Sequence, residues 1–269
     1  MNQSLRFDKK DRDLLVKINE VIDSGNVSSA EQETFRTSLH PHGIQNMVST
    51  HEERMAMAEV NLLQRLNDGT GVEARLSALK TLHEEVLYSA QTPFRFNTSR
   101  VLIQLMKEIV RARGNEEEQL RLIHDFQKVA AGNPRIVRAF LSKFFLLEMP
   151  EEWNQKTMDD HVHDANTMGR KNSTYLVMDA RVKGIRRLTV VYYNFVDSKV
   201  VYELYEAAHI MGISVRLGIK FKARFHDRYV EFLWTPKGFT DTKSVLDFLK
   251  EPETEALMQE GRAVEDWAR

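Results

Sequence analysis

Apolar residues recur at intervals of three and four through the first 150 residues, which is the spacing of one face of an amphipathic helix. Glycine, proline and asparagine interrupt the pattern and mark the ends of the helices. It predicts seven helices: one on positions 14–22, a short one opened by a capping box of Ser28 and Glu31, and five more on 50–66, 76–87, 98–110, 120–129 and 135–147. Short turns favour antiparallel neighbours, so we expect a helical bundle, with the largely apolar segment 135–147 buried at its centre.

After residue 150 the pattern changes to short β-branched and aromatic runs alternating with helical stretches. Residues 188–193, 213–217 and 229–234 are predicted strands, and residues 173–183 and 198–211 are predicted helices that each end at a Gly-Ile pair. Two further helices are expected from 243 to 250 and from 252 to about 267. Strands that alternate with helices favour right-handed βαβ units and a parallel sheet. We therefore expect an all-helical domain over 1–150 and a small parallel α/β unit over 151–269.

Composition narrows the class of protein. Apolar residues make up 42% and charged residues 29% of the chain, as in ordinary globular proteins. The absence of cysteine excludes disulfides, thiolate metal sites and a cysteine nucleophile. No apolar run approaches the length of a membrane span or a signal peptide, so the sequence is interpreted as that of a cytoplasmic protein without a membrane partner.

Charge is unevenly distributed along the chain. The formal net charge is -1, but residues 161–240 contain 13 Lys/Arg and 7 Asp/Glu. A locally basic second half favours anionic ligands such as phosphates or nucleic acid. A solvated surface with uneven charge is the other interpretation of the same count.

An H-x-H pair, His161 and His163, precedes the first predicted helix of the α/β unit. Two histidines two positions apart on a strand point to the same side, and at its carboxyl end both can reach one ion. Asp160 and Asp164 flank the pair as candidate ligands or as partners that orient the rings. Imidazole with oxygen ligands suits one divalent ion such as Zn, Mn, Fe or Ni. A loop with two surface histidines fits the same spacing.

Residues 160–234 resemble the opening of a PHP domain, the polymerase and histidinol phosphatase family. The similarity lies in the order of features: D-H-V-H at 160–163, a polar turn ending in Gly169, an alanine-glycine helix end at 180–185, a second one at 207–213 leading to Gly218, and a basic segment at 222–228 before a strand. The resemblance implies a distorted (β/α)7 barrel with up to three metals and hydrolysis of phosphoesters.

The sequence departs from the family pattern at three ligand positions. Tyr192-Tyr193-Asn194 stands where the family has Thr-Asp-His, Lys220 stands where it has the glutamate of Gly-x-Glu, and Glu231 aligns with a histidine. A charged ammonium cannot ligate a metal and repels a cation. The stretch after residue 160 is also short for a closed barrel. We expect either the first part of a longer protein or a small open α/β unit.

Three functions are compatible with this pattern. The leading hypothesis is a non-catalytic or regulatory PHP-like module that binds a phosphorylated small molecule or nucleic acid through these cationic residues: Lys220, Arg224, Lys222, Arg170 and Lys171. The first alternative is a metal-dependent phosphoesterase whose single Zn, Mn or Fe ion is held by His161 and His163 with Asp160, Asp164 or Glu231. The second alternative is an interaction scaffold that forms a homo-oligomer through the helical half.

Overall fold

The computed structural model describes residues 7–24, 50–67, 69–88, 94–150 and 157–268. The chain divides into two compact units, Met1–Asn154 and Gln155–Arg269. The capping box predicted at Ser28 and Glu31 lies outside the described residues. Over the described ranges, no helix combines the length and apolar character needed to cross a membrane.

In its described residues, the first unit is helical wherever it is regular, as predicted. Its helices are α1 (Lys9–Ser24), α2 (His51–Arg65), α3 (Val72–Leu82) with a π-helical turn (His83–Tyr88), α4 (Arg95–Arg111), α5 (Glu116–Ala130) and α6 (Pro134–Lys143). Side-chain caps fix several starts: Thr50 and Glu53 form a capping box before α2, and Asn115 caps α5. The predicted helix at 98–110 begins earlier, at Arg95.

The central helix of this unit is α4, and the expectation that segment 135–147 is central is wrong. Twelve of the 17 residues of α4 are buried, whereas α6 buries only Val137 and Leu141. The helix ends at Lys143, and Phe145, in a left-handed conformation, is 94% exposed. A buried arginine helps to hold α4 in place, because Arg100 Nη1 donates to Asn97 Oδ1 (2.9 Å) and to the Leu147 carbonyl (2.7 Å).

The second unit is the predicted α/β unit, built on a four-stranded sheet. Its elements are β1 (Met158–Val162), α7 (Ser173–Lys183), β2 (Arg187–Tyr193), α8 (Ser198–Met211), β3 (Ser214–Phe225), β4 (Arg228–Trp234), α9 (Thr242–Leu249) and α10 (Pro252–Ala268). The strand order is β1-β2-β3-β4, and the first three strands are parallel. The helix ends predicted at Gly184 and Gly212 are confirmed, since both glycines are left-handed caps.

The last strand differs from the prediction of a wholly parallel sheet. The strand expected at 229–234 forms, but it pairs antiparallel with β3. The reason is that β3 continues to Phe225, into the basic segment that the sequence placed before the last strand rather than within one. Only two residues, His226 and Asp227, then join the strands, and so short a connection permits only a hairpin.

The sheet has two distinct faces because side chains alternate along each strand. Leu188, Val190 and Tyr192 of β2 lie on what we call the helix face, where the Tyr192 hydroxyl reaches residue Ser173 of α7 through the carboxylate of Asp164. Thr189, Val191 and Tyr193 lie on the opposite face, here named the site face. Their register partners Arg216, Gly218 and Lys220 carry this face onto β3.

Candidate functional site

An irregularity in β1 decides which face carries the histidines. Asp159 pairs with Leu188 and Val162 pairs with Val190, so three steps along β1 match two steps along β2. Val162 therefore shares the helix face with Val190, and its neighbours His161 and His163 project from the site face. The two imidazoles do converge: their ring centroids lie 5.1 Å apart with the planes at 72°.

The orientation of His163 follows from its hydrogen bonds. Its Nδ1 lies 2.8 Å from the carbonyl oxygen of Val191. A carbonyl can only accept, so Nδ1 carries the proton and Nε2 presents its lone pair. The Tyr193 hydroxyl lies 3.4 Å from that Nε2, and the two rings are in contact at 5.2 Å. The backbone of β2 thus fixes the tautomer of the half-buried histidine.

The contacts continue across the sheet to β4. The Lys220 ammonium lies 5.5 Å from the centre of the Tyr193 ring and 3.0 Å from Glu231 Oε2. A continuous line of side chains therefore crosses the sheet, with one member from each strand and one from the residue after β1. We call it the cross-strand row: His161, His163, Tyr193, Lys220 and Glu231. The row lies toward the carboxyl ends of β1 and β2, the edge where α/β sheets bind ligands.

Asp164, proposed from sequence as a metal ligand, has a different environment. Its side chain is fully buried and accepts from Ser173 Oγ (2.7 Å), from the Tyr192 hydroxyl (2.8 Å) and from the backbone N–H of Asn166 (2.9 Å). Tyr192 belongs to the helix face, so this carboxylate supports the loop after the histidines from behind the sheet. Burial, followed by the charge of Asp164, raises the pKa of Tyr192 well above its usual value.

The remaining residues proposed from sequence fall in three places. Asp160 is exposed beside the row, and its Oδ1 accepts from the Thr189 hydroxyl (3.3 Å). Lys171 is ion-paired with Asp179 and lies over the ring of Tyr175 at the start of α7, next to the exposed Arg170. Lys222 and Arg224 lie farther along β3, beyond its pairing with β2. Only Lys220 of the proposed cations joins the row, and the anion-binding roles of the others stay predictions.

The metal site expected from sequence stays a prediction, because the structure brings only part of the proposed ligand set together. Within the described part of the chain, no three His, Cys, Asp or Glu side chains come together as a group that could hold a metal ion. The carboxylate of Asp164 is satisfied behind the sheet, and that of Glu231 is paired with Lys220. Two imidazoles without a third protein ligand fall short of the three that open metal sites ordinarily supply.

Tyr193 is the member of the row that was not among the predicted site residues, because the sequence placed it only as the end of the strand at 188–193. The two neighbouring tyrosines lie on opposite faces of the sheet: Tyr192 is 1% exposed on the helix face, whereas Tyr193 contacts both His163 and Lys220 on the site face. Strand alternation could have identified it. Tyr193 is two positions from Val191, whose carbonyl accepts from His163, so both residues lie on the same face at the end of a parallel strand.

The end of β2 is held by the last helix of the unit. Asn194 has a left-handed backbone (φ 62°) and donates through Nδ2 to Glu265 Oε1 of α10 (2.7 Å). Gly261 of α10 lies against the Asn194 carbonyl so closely that a Cβ there would overlap it. Asn194 is thus engaged by α10, and this contact fixes the chain immediately after Tyr193.

No protein-family model matches the sequence, and no curated protein and no solved structure is significantly similar to it.

Proposed function

We propose that the α/β unit is a degenerate PHP-like module that binds the phosphate group of a ligand at the cross-strand row. The observation that supports this most directly is the position of the Lys220 ammonium, beside Tyr193 and in line with the two imidazoles. The family resemblance puts a metal-binding glutamate at this position. A lysine there supplies the positive charge itself.

The chemistry of the row suits an oxyanion. Lysine offers three N–H donors and each neutral histidine one N–H, while deprotonated phosphate oxygens only accept. The N–H of His163 donates to the Val191 carbonyl, so Nε2 of the same ring accepts from the Tyr193 hydroxyl and holds it in place. His161, exposed at the edge of the row, is the ring that can donate to a ligand oxygen. Hydrogen bonds between a charged donor and an anion are about twice as strong as neutral ones.

An entering phosphate competes with Glu231 for the Lys220 ammonium. Glu231 is half exposed, so its ion pair with Lys220 is weakly stabilising and easily exchanged. Lys222 is the register partner of Glu231 and is placed to take over its carboxylate. We therefore expect that neutralising Glu231 strengthens binding, whereas neutralising Lys220 weakens it.

Isothermal titration of the whole chain with inorganic phosphate, pyrophosphate and phosphoserine, at constant ionic strength, tests the proposal. Lys220→Gln is expected to weaken binding by about tenfold or more, because it removes a charged hydrogen bond of about 1.5–3 kcal/mol. Glu231→Gln should strengthen binding. Lys237→Gln, a change of the same kind at an exposed lysine after β4, is the matched control.

Two results would contradict the proposal. One is the absence of heat and of thermal stabilisation with all three phosphates at low salt. The other is an equal loss of affinity in Lys220→Gln and Lys237→Gln, which would show that binding depends on overall charge rather than on the row.

A further inference from the structure

The long hairpin of the α/β unit has a part that belongs to no other strand pair. Strand β3 pairs with β2 as far as Lys220, and from Phe221 to Phe225 it pairs, among the described strands, with β4 alone. Residues 221–232 therefore form a two-stranded ribbon that projects past the parallel sheet. All the ribbon residues of β4 are exposed, on both faces of the strand. The ribbon contributes little to the packing of the unit, so its composition needs another explanation.

That composition combines aromatic rings with cations. Four of its 12 residues are Phe or Tyr, and three are Lys or Arg. Each arginine lies directly opposite an aromatic ring in the register, Arg224 opposite Tyr229 and Arg228 opposite Phe225. The rings are unusually exposed for their type, 77% for Tyr229 and 62% for Phe225. Of the two acids, Glu231 is already paired with Lys220, which lies outside the ribbon.

We infer that the ribbon binds single-stranded nucleic acid, with an unpaired base stacked on Tyr229 and the phosphate backbone on Arg224 and Lys222. These three side chains share the site face, because Tyr229 is the register partner of Arg224 and Lys222 is two positions away on the same strand. Exposed aromatic rings interleaved with cations are the common means of holding single strands without sequence preference. The inference uses other residues than the cross-strand row and does not depend on phosphate binding there.

The arrangement disfavours the other partners that an exposed ribbon can take. Two copies of the ribbon would bring like charges together, since each carries an excess of cations. A membrane-inserting hairpin needs an apolar tip, whereas this turn is His226–Asp227 and is closed by a hydrogen bond from Arg224 Nε to the His226 carbonyl (3.2 Å). A fully paired duplex hides the faces of its bases, which leaves Tyr229 without a stacking partner.

Fluorescence anisotropy of the whole chain with labelled oligothymidylate and oligouridylate of about 12 nucleotides tests the inference. Tyr229→Ala should weaken binding about tenfold and leave the salt dependence unchanged, because it removes stacking but no charge. Lys222→Gln should weaken binding and lower the slope of log K against log salt by about 0.7. Tyr229→Phe, which keeps the ring, and Lys237→Gln, a lysine outside the ribbon, should both bind as the unchanged chain does. The three positions are exposed, so the fold should tolerate these changes.

Three outcomes would overturn the inference. The first is no anisotropy change at low salt. The second is binding that Tyr229→Ala leaves intact, since the contact would then be one of charge alone. The third is binding of polyglutamate or of phosphatidylserine-containing vesicles with the same dependence on Tyr229 and Lys222 but none of either oligonucleotide, which would assign the ribbon to an acidic peptide or a lipid surface.

Discussion

Replacing Tyr192 by phenylalanine tests whether the buried carboxylate behind the histidines holds the candidate site together. The change removes one oxygen from a side chain that is 1% exposed and leaves the ring in place. What is lost is the hydrogen bond of 2.8 Å that the hydroxyl donates to the fully buried Asp164. The change therefore removes one donor from one carboxylate, together with the contact of the same hydroxyl with Ser173.

The magnitude follows from what remains around Asp164. A hydrogen bond to a charged group contributes about 1.5–3 kcal/mol. Ser173 Oγ and the Asn166 N–H still donate to the carboxylate, so it is not left as an unpaired buried charge, which would cost about 3–5 kcal/mol. We expect the free energy of unfolding of the α/β unit to fall by about 2 kcal/mol at neutral pH, which lowers the urea midpoint by about 1 M.

Urea unfolding followed by tryptophan fluorescence measures this, because two of the three tryptophans, Trp234 and Trp267, lie in the α/β unit. Alkaline pH adds a second signature. Tyr192 has a raised pKa in the folded chain, so its contribution to stability is fully present below the unfolded pKa of about 10 and declines as pH rises above it. The Tyr192→Phe variant lacks this loss, and the difference in stability between the variant and the unchanged chain should shrink above pH about 10.

Tyr229→Phe is the control, since its ring is 77% exposed and its hydroxyl removal should change stability by less than about 0.5 kcal/mol. Unfolding of Tyr192→Phe at the same urea concentration as this control would refute a stabilising role for the Tyr192 hydroxyl. The same would follow if the variant and the unchanged chain differed in unfolding free energy by the same amount at pH 8 and at pH 11, about one unit above the reference tyrosine pKa.

Two further changes probe other buried positions. Glu59 is 1% exposed, and neither of its carboxylate oxygens is hydrogen-bonded among the described residues, so burial raises its pKa. The stability that the protonated side chain contributes is therefore present below the unfolded pKa of about 4.3 and is lost as pH rises through the folded pKa. Above about pH 4.3, the unfolding free energy of the unchanged chain should fall by up to about 1.4 kcal/mol per pH unit because of Glu59, and Glu59→Gln should remove this fall. Glu116→Gln, at the exposed start of α5, is the control and should keep it. Equal pH profiles for the two variants would contradict a raised pKa for Glu59. Gly169→Ala places a Cβ against the backbone carbonyls of His163 and Asp164. It should therefore destabilise the α/β unit by about 1–3 kcal/mol in thermal melts and weaken phosphate binding at the cross-strand row. An unchanged melting temperature and an unchanged affinity would show that the loop is not packed as described.

Most elements of the fold could be predicted from the sequence, and the exceptions have identifiable causes. The helix ends at Gly184 and Gly212 were predictable because a left-handed cap favours glycine. The extension of β3 was not, although residues 219–225 alternate apolar and basic as a strand does. Three cations in that segment favoured a loop, and the turn His226–Asp227 lacks the glycine that ordinarily marks a hairpin.

The central position of α4 was hidden for a related reason. Its first turns contain Asn97, Thr98, Ser99 and Arg100, all of which are buried. Polar residues in a periodic pattern indicate an exposed face, so the sequence favoured the more apolar segment 135–147. Asn97 and Arg100 donate to distant backbone carbonyls, those of Met149 and Leu147, which no local pattern contains. Thr98 and Ser99 donate instead to carbonyls of their own turn.

For the candidate site, strand alternation predicted that His161 and His163 point the same way, and their rings do lie side by side. It could not predict their face, which depends on the irregular pairing between Asp159 and Val162. Nor could it predict that Asp164 turns behind the sheet, because that depends on Tyr192 and Ser173, 28 and nine positions away.

The extra residue in β1 separates the strand into two segments with opposite phase. The residue directed to the helix face is Asp159 before the extra residue and Val162 after it, so the face that successive β1 residues present changes phase within the strand. Loss of the codon for Asp160 would give an ordinary ladder with both imidazoles still directed to the same side. Loss of the codon for Val162 would instead force either His161 or His163 under the helices, so a single strand residue decides whether the pair survives.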